Sequence, residues 1–211
     1  MDSGCKAALE GRALVNLQMS NTFGAFVDMN AALNIAKTAD SLNLRGVVNQ
    51  FIGDRMNAMN DYQAAKNLDP THSLACYNAA NLYLVHRQFA QAISYYTKAI
   101  DWNNKDPAAF LNRAIARTVT NDLEGALEDL KSCEVLSPHW SHMYYNRAYV
   151  YYLSGKYQLA EDDYTRALIL LPDPLLYKKR ADARGKAGKT HLALQDYKRA
   201  LDLQSRNKLN I

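Results

Sequence analysis

The chain has 211 residues, is 48% hydrophobic and carries a formal net charge of +4. Its nine Gly and five Pro are too few for a disordered or low-complexity chain, and its apolar content suits a sizeable core. No apolar run approaches the roughly 18 residues of a membrane span, the opening MDSGCKAALEGRALVNLQ lacks the layout of a secretory leader, and three scattered cysteines (Cys5, Cys76, Cys133) argue for a reducing, cytoplasmic setting without disulfides.

A period organises the rest. Pro70, Pro138 and Pro172 close the segments NLDP, LSP and LLP at spacings of 68 and 34 residues, which marks a repeat of 34. In chain order the repeat predicts one antiparallel helix pair in each of 6–38 (divergent), 39–72, 73–106, 107–140, 141–173 and 174–207, with short tails at 1–5 and 208–211. The eighth place of each unit is small (Ala13, Gly46, Ala80, Ala114, Ala148, Ala181), and the twentieth is Ala from Ala25 to Ala193. The twenty-fourth is mostly large (Met29, Tyr62, Tyr96, Leu130, Tyr164, Tyr197). Small residues let helix backbones approach, and large ones fill the gaps between them. Gly53, Gly155 and Gly188 fall near the fifteenth place, where the turn between the two helices belongs. A single unit cannot bury its own apolar face, so neighbours must stack.

These columns resemble the tetratricopeptide repeat (TPR) family over residues 6 to about 207, most clearly from 73 onward. The resemblance implies an all-α fold, a right-handed superhelical solenoid of antiparallel helix pairs forming a single TPR array, and a non-catalytic scaffold or adaptor. Two further columns covary. The seventh place is Arg12, Arg45, Ala79, Arg113, Arg147, Arg180, and the twenty-third is Asp28, Asp61, Tyr95, Asp129, Asp163, Asp196. The unit that lacks Arg also lacks Asp, so an Arg–Asp pair is expected to tie the first helix of a unit to its second, through the fork of the guanidinium.

The resemblance also implies a concave groove lined by the first helices. Its residues here are Tyr77, Asn78, Asn81, Leu111, Asn112, Ile115, Tyr145, Asn146, Tyr149, Tyr152, Lys178 and Lys179. Asn78, Asn112 and Asn146 form a ladder whose amides suit peptide bonds, and the tyrosines offer flat amphipathic contact area. No triplet of units matches the family's carboxylate clamp, so chaperone C-terminal tails are disfavoured as partners. The expected partner is a protein, as a peptide or helix in the groove. Alternatives are a targeting arm for an enzyme whose catalytic part lies elsewhere, and assembly through uncapped ends. Arrays of this kind also serve as trafficking and ciliary adaptors. The sequence closes on NKLNI without a further polar helix, which suggests a piece or isoform of a longer protein, or a last helix that packs on a partner.

Other chemistry is weaker. ARGKAGKT (183–190) fits a loose phosphate-loop pattern, but it follows a helical segment rather than a strand and occupies the turn of the last unit, so no nucleotide is expected. His139 and His142 near Cys133 lack a fourth ligand for a metal. No nucleophile–base set stands out, and neither cofactor nor metal is expected. From Asp173 onward there are ten Lys or Arg against four Asp. This excess reads as a solvated helix face, and a nucleic-acid partner is disfavoured.

Overall fold

The computed structural model describes residues 3–209, all of whose regular elements are helices. They are α1 (Ser3–Gln18), α2 (Thr22–Ile35), α3 (Ala39–Ile52), α4 (Arg55–Leu68), α5 (Ser73–Val85), α6 (Phe89–Trp102), α7 (Pro107–Val119), α8 (Leu123–Leu136), α9 (Ser141–Leu153), α10 (Tyr157–Leu170), α11 (Pro174–Lys186) and α12 (Thr190–Leu209). From α3 on, each odd-numbered helix begins on the first residue of a period. The expected tails are in part helical, since α1 starts at Ser3 and α12 runs to Leu209; residues 1–2 and 210–211 lie outside the described residues.

Local chemistry sets the helix ends. Asn21, Thr38, Asp54 and Asp122 accept a backbone N–H three residues on, which satisfies a donor that the helix itself leaves unpaired. Pro107 and Pro174 occupy the first turn of α7 and α11, each behind an Asp cap, where a missing N–H costs nothing. Every helix pair turns through one left-handed residue at the fifteenth place. Three are Gly53, Gly155 and Gly188, and three are Ser20, Arg87 and Asn121, with φ between 59° and 64°. The column is therefore conformational, and glycine is its cheapest occupant.

The chain divides into two compact units, the first ending at Lys105 and the second beginning at Asp106. In the first, α1 packs on α2, α3 on α4 and α5 on α6, with α2 against α3 and α4 against α5. Its core is built from the small and large columns: Ala13, Ala25 and Met29 close on Val48, and Ala58 and Tyr62 on Ala79 and Leu82. Gly46 is small because Tyr62 leaves no alternative; a methyl group there would lie 2.5 Å from the Tyr62 ring. In the second unit the pairs are α7 with α8, α9 with α10 and α11 with α12, joined through α8 with α9 and α10 with α11. Ala114, Leu130, Cys133, Ala148, Tyr164 and Ala167 are fully or almost fully buried there.

Candidate peptide-binding surface and its Arg–Asp supports

The structure brings all five Arg–Asp sets together in the same way. Nε and Nη2 of Arg12 donate to the two oxygens of Asp28 at 2.9 and 2.6 Å. Arg45 with Asp61 and Arg113 with Asp129 repeat those two distances. Arg147 meets Asp163 at 2.6 and 3.1 Å, and Arg180 meets Asp196 at 2.8 and 2.7 Å. The bidentate fork fixes the angle between the two helices of a pair as well as joining them. The guanidinium of Arg12 holds the Asp28 carboxyl below its usual range, against the opposing effect of burial. Burial works against the charge on Arg147, but its bonds to Asp163 and Glu134 outweigh that, and its pKa rises.

Two partners are not visible in the covarying columns. The first lies one turn after the Arg. Asn16, Asn49, Arg117 and Arg184 each donate a further bond to the same Asp, at 3.1, 2.8, 2.9 and 2.8 Å. The second links neighbouring pairs. Arg45 donates to Asn30 at 3.0 Å, Arg180 to Thr165 at 3.0 Å, and Arg147 to Glu134. Glu161 is buried and receives Arg184 at 2.8 Å and Lys189 at 2.7 Å. Burial pushes the Glu161 carboxyl up, yet the two cations hold it below its ordinary value.

The third helix pair replaces the whole set with rings. Its seventh, eleventh and twenty-third places are Ala79, Tyr83 and Tyr95. The two tyrosine rings lie 5.2 Å apart, with the ammonium groups of Lys66 and Lys98 at 5.6 and 4.8 Å from the Tyr95 ring. An aromatic pair flanked by cations thus takes the place of the ion pair.

The expected groove residues divide by unit. On α5, Tyr77 lies half-buried against Tyr96, Asn78 donates to Asn43 at 2.9 Å, and Asn81 accepts from the Tyr96 hydroxyl at 2.6 Å. On α7, Leu111 is buried, so it supports the surface rather than forming it, while Asn112 and Ile115 are partly exposed. On α9, Asn146 donates to the His142 carbonyl of its own helix at 2.7 Å, which engages one of its two amide hydrogens. Tyr145 packs against Tyr164, Tyr149 is exposed beneath the Lys179 ammonium at 5.8 Å, and Tyr152 meets Tyr157 edge-on at 5.5 Å. On α11, Lys178 is exposed. Two clefts open between α9 and α11. One, of about 200 Å³, is lined by Ser141, His142, Tyr145, Leu171, Leu175 and Leu176, among others. The other, of about 230 Å³, is lined by Tyr149, Tyr152, Leu153, Tyr164, Lys179 and Asp182.

The glycine–lysine–threonine segment forms the turn between α11 and α12, and Lys189 is spent on Glu161 and Gln158. Arg180 and Arg184 are likewise paired with acids, Arg180 with Asp196 and Arg184 with both Asp196 and Glu161. Among the described residues no three His, Cys, Asp or Glu are grouped to hold a metal ion, and no helix is long and apolar enough to cross a membrane.

Two models of the tetratricopeptide repeat family match the chain, over residues 77–138 and 143–174. The human "Tetratricopeptide repeat protein 6" is 49% identical over 112 residues, covering 53% of this chain and 22% of that protein. The chain thus spans about a quarter or less of the curated relatives it matches. Among solved structures, PilF of Pseudomonas aeruginosa superposes with a TM-score of 0.80 at 18% identity, covering 91% of this chain and 88% of that one. YrrB, described as "a TPR protein with an unusual peptide-binding site", superposes with a TM-score of 0.75 at 17% identity, covering 84% and 92%. The fold of these proteins, the matching models and the repeating helix pairs agree: the chain belongs to the tetratricopeptide repeat family.

Proposed function

We propose that this chain is a protein-interaction scaffold that holds a partner peptide against the first helices of its repeats. The observation that supports this most is the α9–α11 surface of the second compact unit. There Tyr145, Tyr149 and Tyr152 stand on one side of a helix, beside two clefts, the second of which is also lined by Lys179 and Asp182. Tyrosine offers large contact area with few rotamers to freeze, and the clefts are of side-chain size. The free amide hydrogen and oxygen of Asn146 add donor and acceptor capacity for a peptide backbone. Asn112 and Ile115 on α7 extend the surface within the same unit, and Tyr77, Asn78 and Asn81 on α5 form its counterpart in the first. The role is that of an adaptor in the cytoplasm, trafficking and ciliary adaptors among them. Nothing in it calls for a cofactor.

Selection of peptides from a random display library against the chain tests the reading. Selected peptides should bind the wild type and lose at least about ten-fold in affinity, or about 1.4 kcal/mol, to a Tyr145→Ala/Tyr149→Ala variant of unchanged helicity. Peptides that bind both forms equally would show that the α9–α11 surface is not the recognition face.

A further inference from the structure

Four helix pairs carry tyrosine at the twenty-fourth place, and the repeat shows what the hydroxyl there needs. Tyr62 donates to Oε1 of Gln50 at 3.0 Å, Tyr96 to Oδ1 of Asn81 at 2.6 Å, and Tyr197 to Oδ1 of Asp182 at 2.5 Å. Each acceptor stands on the first helix of the same pair. The fourth, Tyr164, is 1% exposed, and among the described residues its hydroxyl meets no hydrogen-bond partner. The reason lies on α9: the place of Asn81 and Asp182 is taken by Tyr149, and that of Gln50 by Tyr152. A phenol so buried without an acceptor is costly, and Tyr164 lines the cleft of about 230 Å³ between α9 and α11. Burial, then the nearby Tyr145, Tyr149, Asp182 and Tyr152, push the hydroxyl above its ordinary value, so it stays a donor. Three of those four line the same cleft, which sets the hydroxyl at its floor.

The other polar groups of the cleft narrow what can meet that hydroxyl. Lys179 lies 5.8 Å from the centre of the Tyr149 ring and makes no ion pair among the described residues. Asp182 gives one oxygen to Tyr197 and keeps the second. A group entering the cleft therefore meets two donors, Tyr164 and Lys179, and one acceptor, Asp182. A carboxylate would suit the donors but face Asp182, and an ammonium would suit Asp182 but face Lys179. A primary carboxamide answers both, because its oxygen accepts and its nitrogen donates. The repeat makes the same match twice, since Gln50 and Asn81 present an amide oxygen to the corresponding hydroxyl. Glutamine reaches a floor that asparagine does not, and its methylenes suit walls of tyrosine and leucine. We propose that the Tyr164 cleft is a subsite for a glutamine side chain of the bound peptide. This rests on the α9–α11 surface being the recognition face, and it names what that face selects.

Blocked single residues test the subsite apart from the longer surface. The N-acetyl, N-methylamide derivatives of Gln, Glu and Met are titrated into the 211-residue chain, and binding is read by NMR of the Tyr149 and Tyr152 rings. The Gln derivative should bind about five-fold more tightly than the other two, the scale of one net hydrogen bond. Tyr164→Phe removes only a hydroxyl without a partner, so helicity and the urea midpoint should hold while the preference for Gln over Met falls to about two-fold or less. Asp182→Asn removes the opposing charge, so the Glu derivative should come to match or exceed Gln. Equal binding of the three, no saturable shift with any of them, or a preference for Gln that Tyr164→Phe leaves intact would overturn the proposal. So would a Glu-to-Gln ratio that Asp182→Asn does not move. Failure of the wider surface reads differently. Display peptides indifferent to Tyr145→Ala/Tyr149→Ala remove the recognition face, whereas peptides that need those tyrosines, tolerate Tyr164→Phe and show no preference for glutamine remove the subsite alone.

Discussion

Removing Arg147 is the most informative single perturbation of this fold. Its side chain is 9% exposed and bonds both Asp163 and Glu134, joining α9 to its own partner helix and to the preceding pair. With Ala at 147, the cation left beside Asp163 is Arg166, at 3.4 Å and 57% exposed, while the Asp163 side chain is 4% exposed. An uncompensated carboxylate in that setting costs about 3–5 kcal/mol. Arg113→Ala should cost less, about 1–3 kcal/mol, because Arg117 still reaches Asp129 at 2.9 Å. Arg12 is itself 66% exposed, but Arg12→Ala leaves the Asp28 side chain, 4% exposed, with only the neutral amide of Asn16, so it should cost about as much as Arg113→Ala. Repeat chains can open one unit at a time, so urea titration by circular dichroism should be paired with hydrogen exchange that resolves α9 and α10. A loss for Arg147→Ala below about 1 kcal/mol would refute the claim that burial of the acid sets the cost.

Three other outcomes follow from the geometry. Arg87→Gly, at a turn with φ of 59°, should raise stability by about 0.5–1 kcal/mol, and a fall in the urea midpoint would count against a strained turn. Gly46→Ala should lower stability by about 1–3 kcal/mol, because the buried Tyr62 ring has nowhere to retreat; a neutral result would mean that α3 and α4 separate at little cost. Asp28, Glu134 and Glu161 all titrate below their ordinary values when folded. Their contribution is present above the unfolded carboxylate range of about 3.9–4.3 and is lost as pH falls through the lower folded values. The urea midpoint should therefore decline in acid below that range, and less steeply in Glu134→Gln; parallel acid slopes would remove Glu134 from the account.

Much of this fold is legible in the sequence because its signals are periodic. Small residues at the eighth and twentieth places and large ones at the twenty-fourth read out the helix–helix contacts. The Arg–Asp sets are legible because two columns change together at Ala79 and Tyr95. The additional Asn or Arg one turn later is less visible, since Asn16, Asn49, Arg117 and Arg184 share a geometry but not a residue type. Glu134 and Glu161 do not show because their partners lie on a different helix pair, at separations that the period does not fix. The turn column is visible at Gly53, Gly155 and Gly188, and hidden at Ser20, Arg87 and Asn121, where packing imposes the conformation on less suitable residues. A column also gives no account of where a side chain spends its hydrogen bonds. Asn78 and Asn146 hold the same place, yet one donates to Asn43 and the other to its own helix. Leu111 shares its column with Tyr77 and Tyr145 but sinks into the interior.

The aromatic set of the third pair bears on how such a chain can change by single substitutions. In the charged pairs the Asp side chains are 3–5% exposed, whereas the Arg side chains range from 9% to 66%. An Arg that loses its Asp can turn its long stem toward water, but an Asp that loses its Arg has no such route. A path from ion pair to tyrosine pair that stays folded at every step therefore gives up the acid first and the base second. The reverse path, from Tyr83 and Tyr95 back to charge, must install the Arg before the Asp. Ala79 with Tyr83 and Tyr95 is the state that such a path would reach, with neither the Arg nor the Asp of the other pairs.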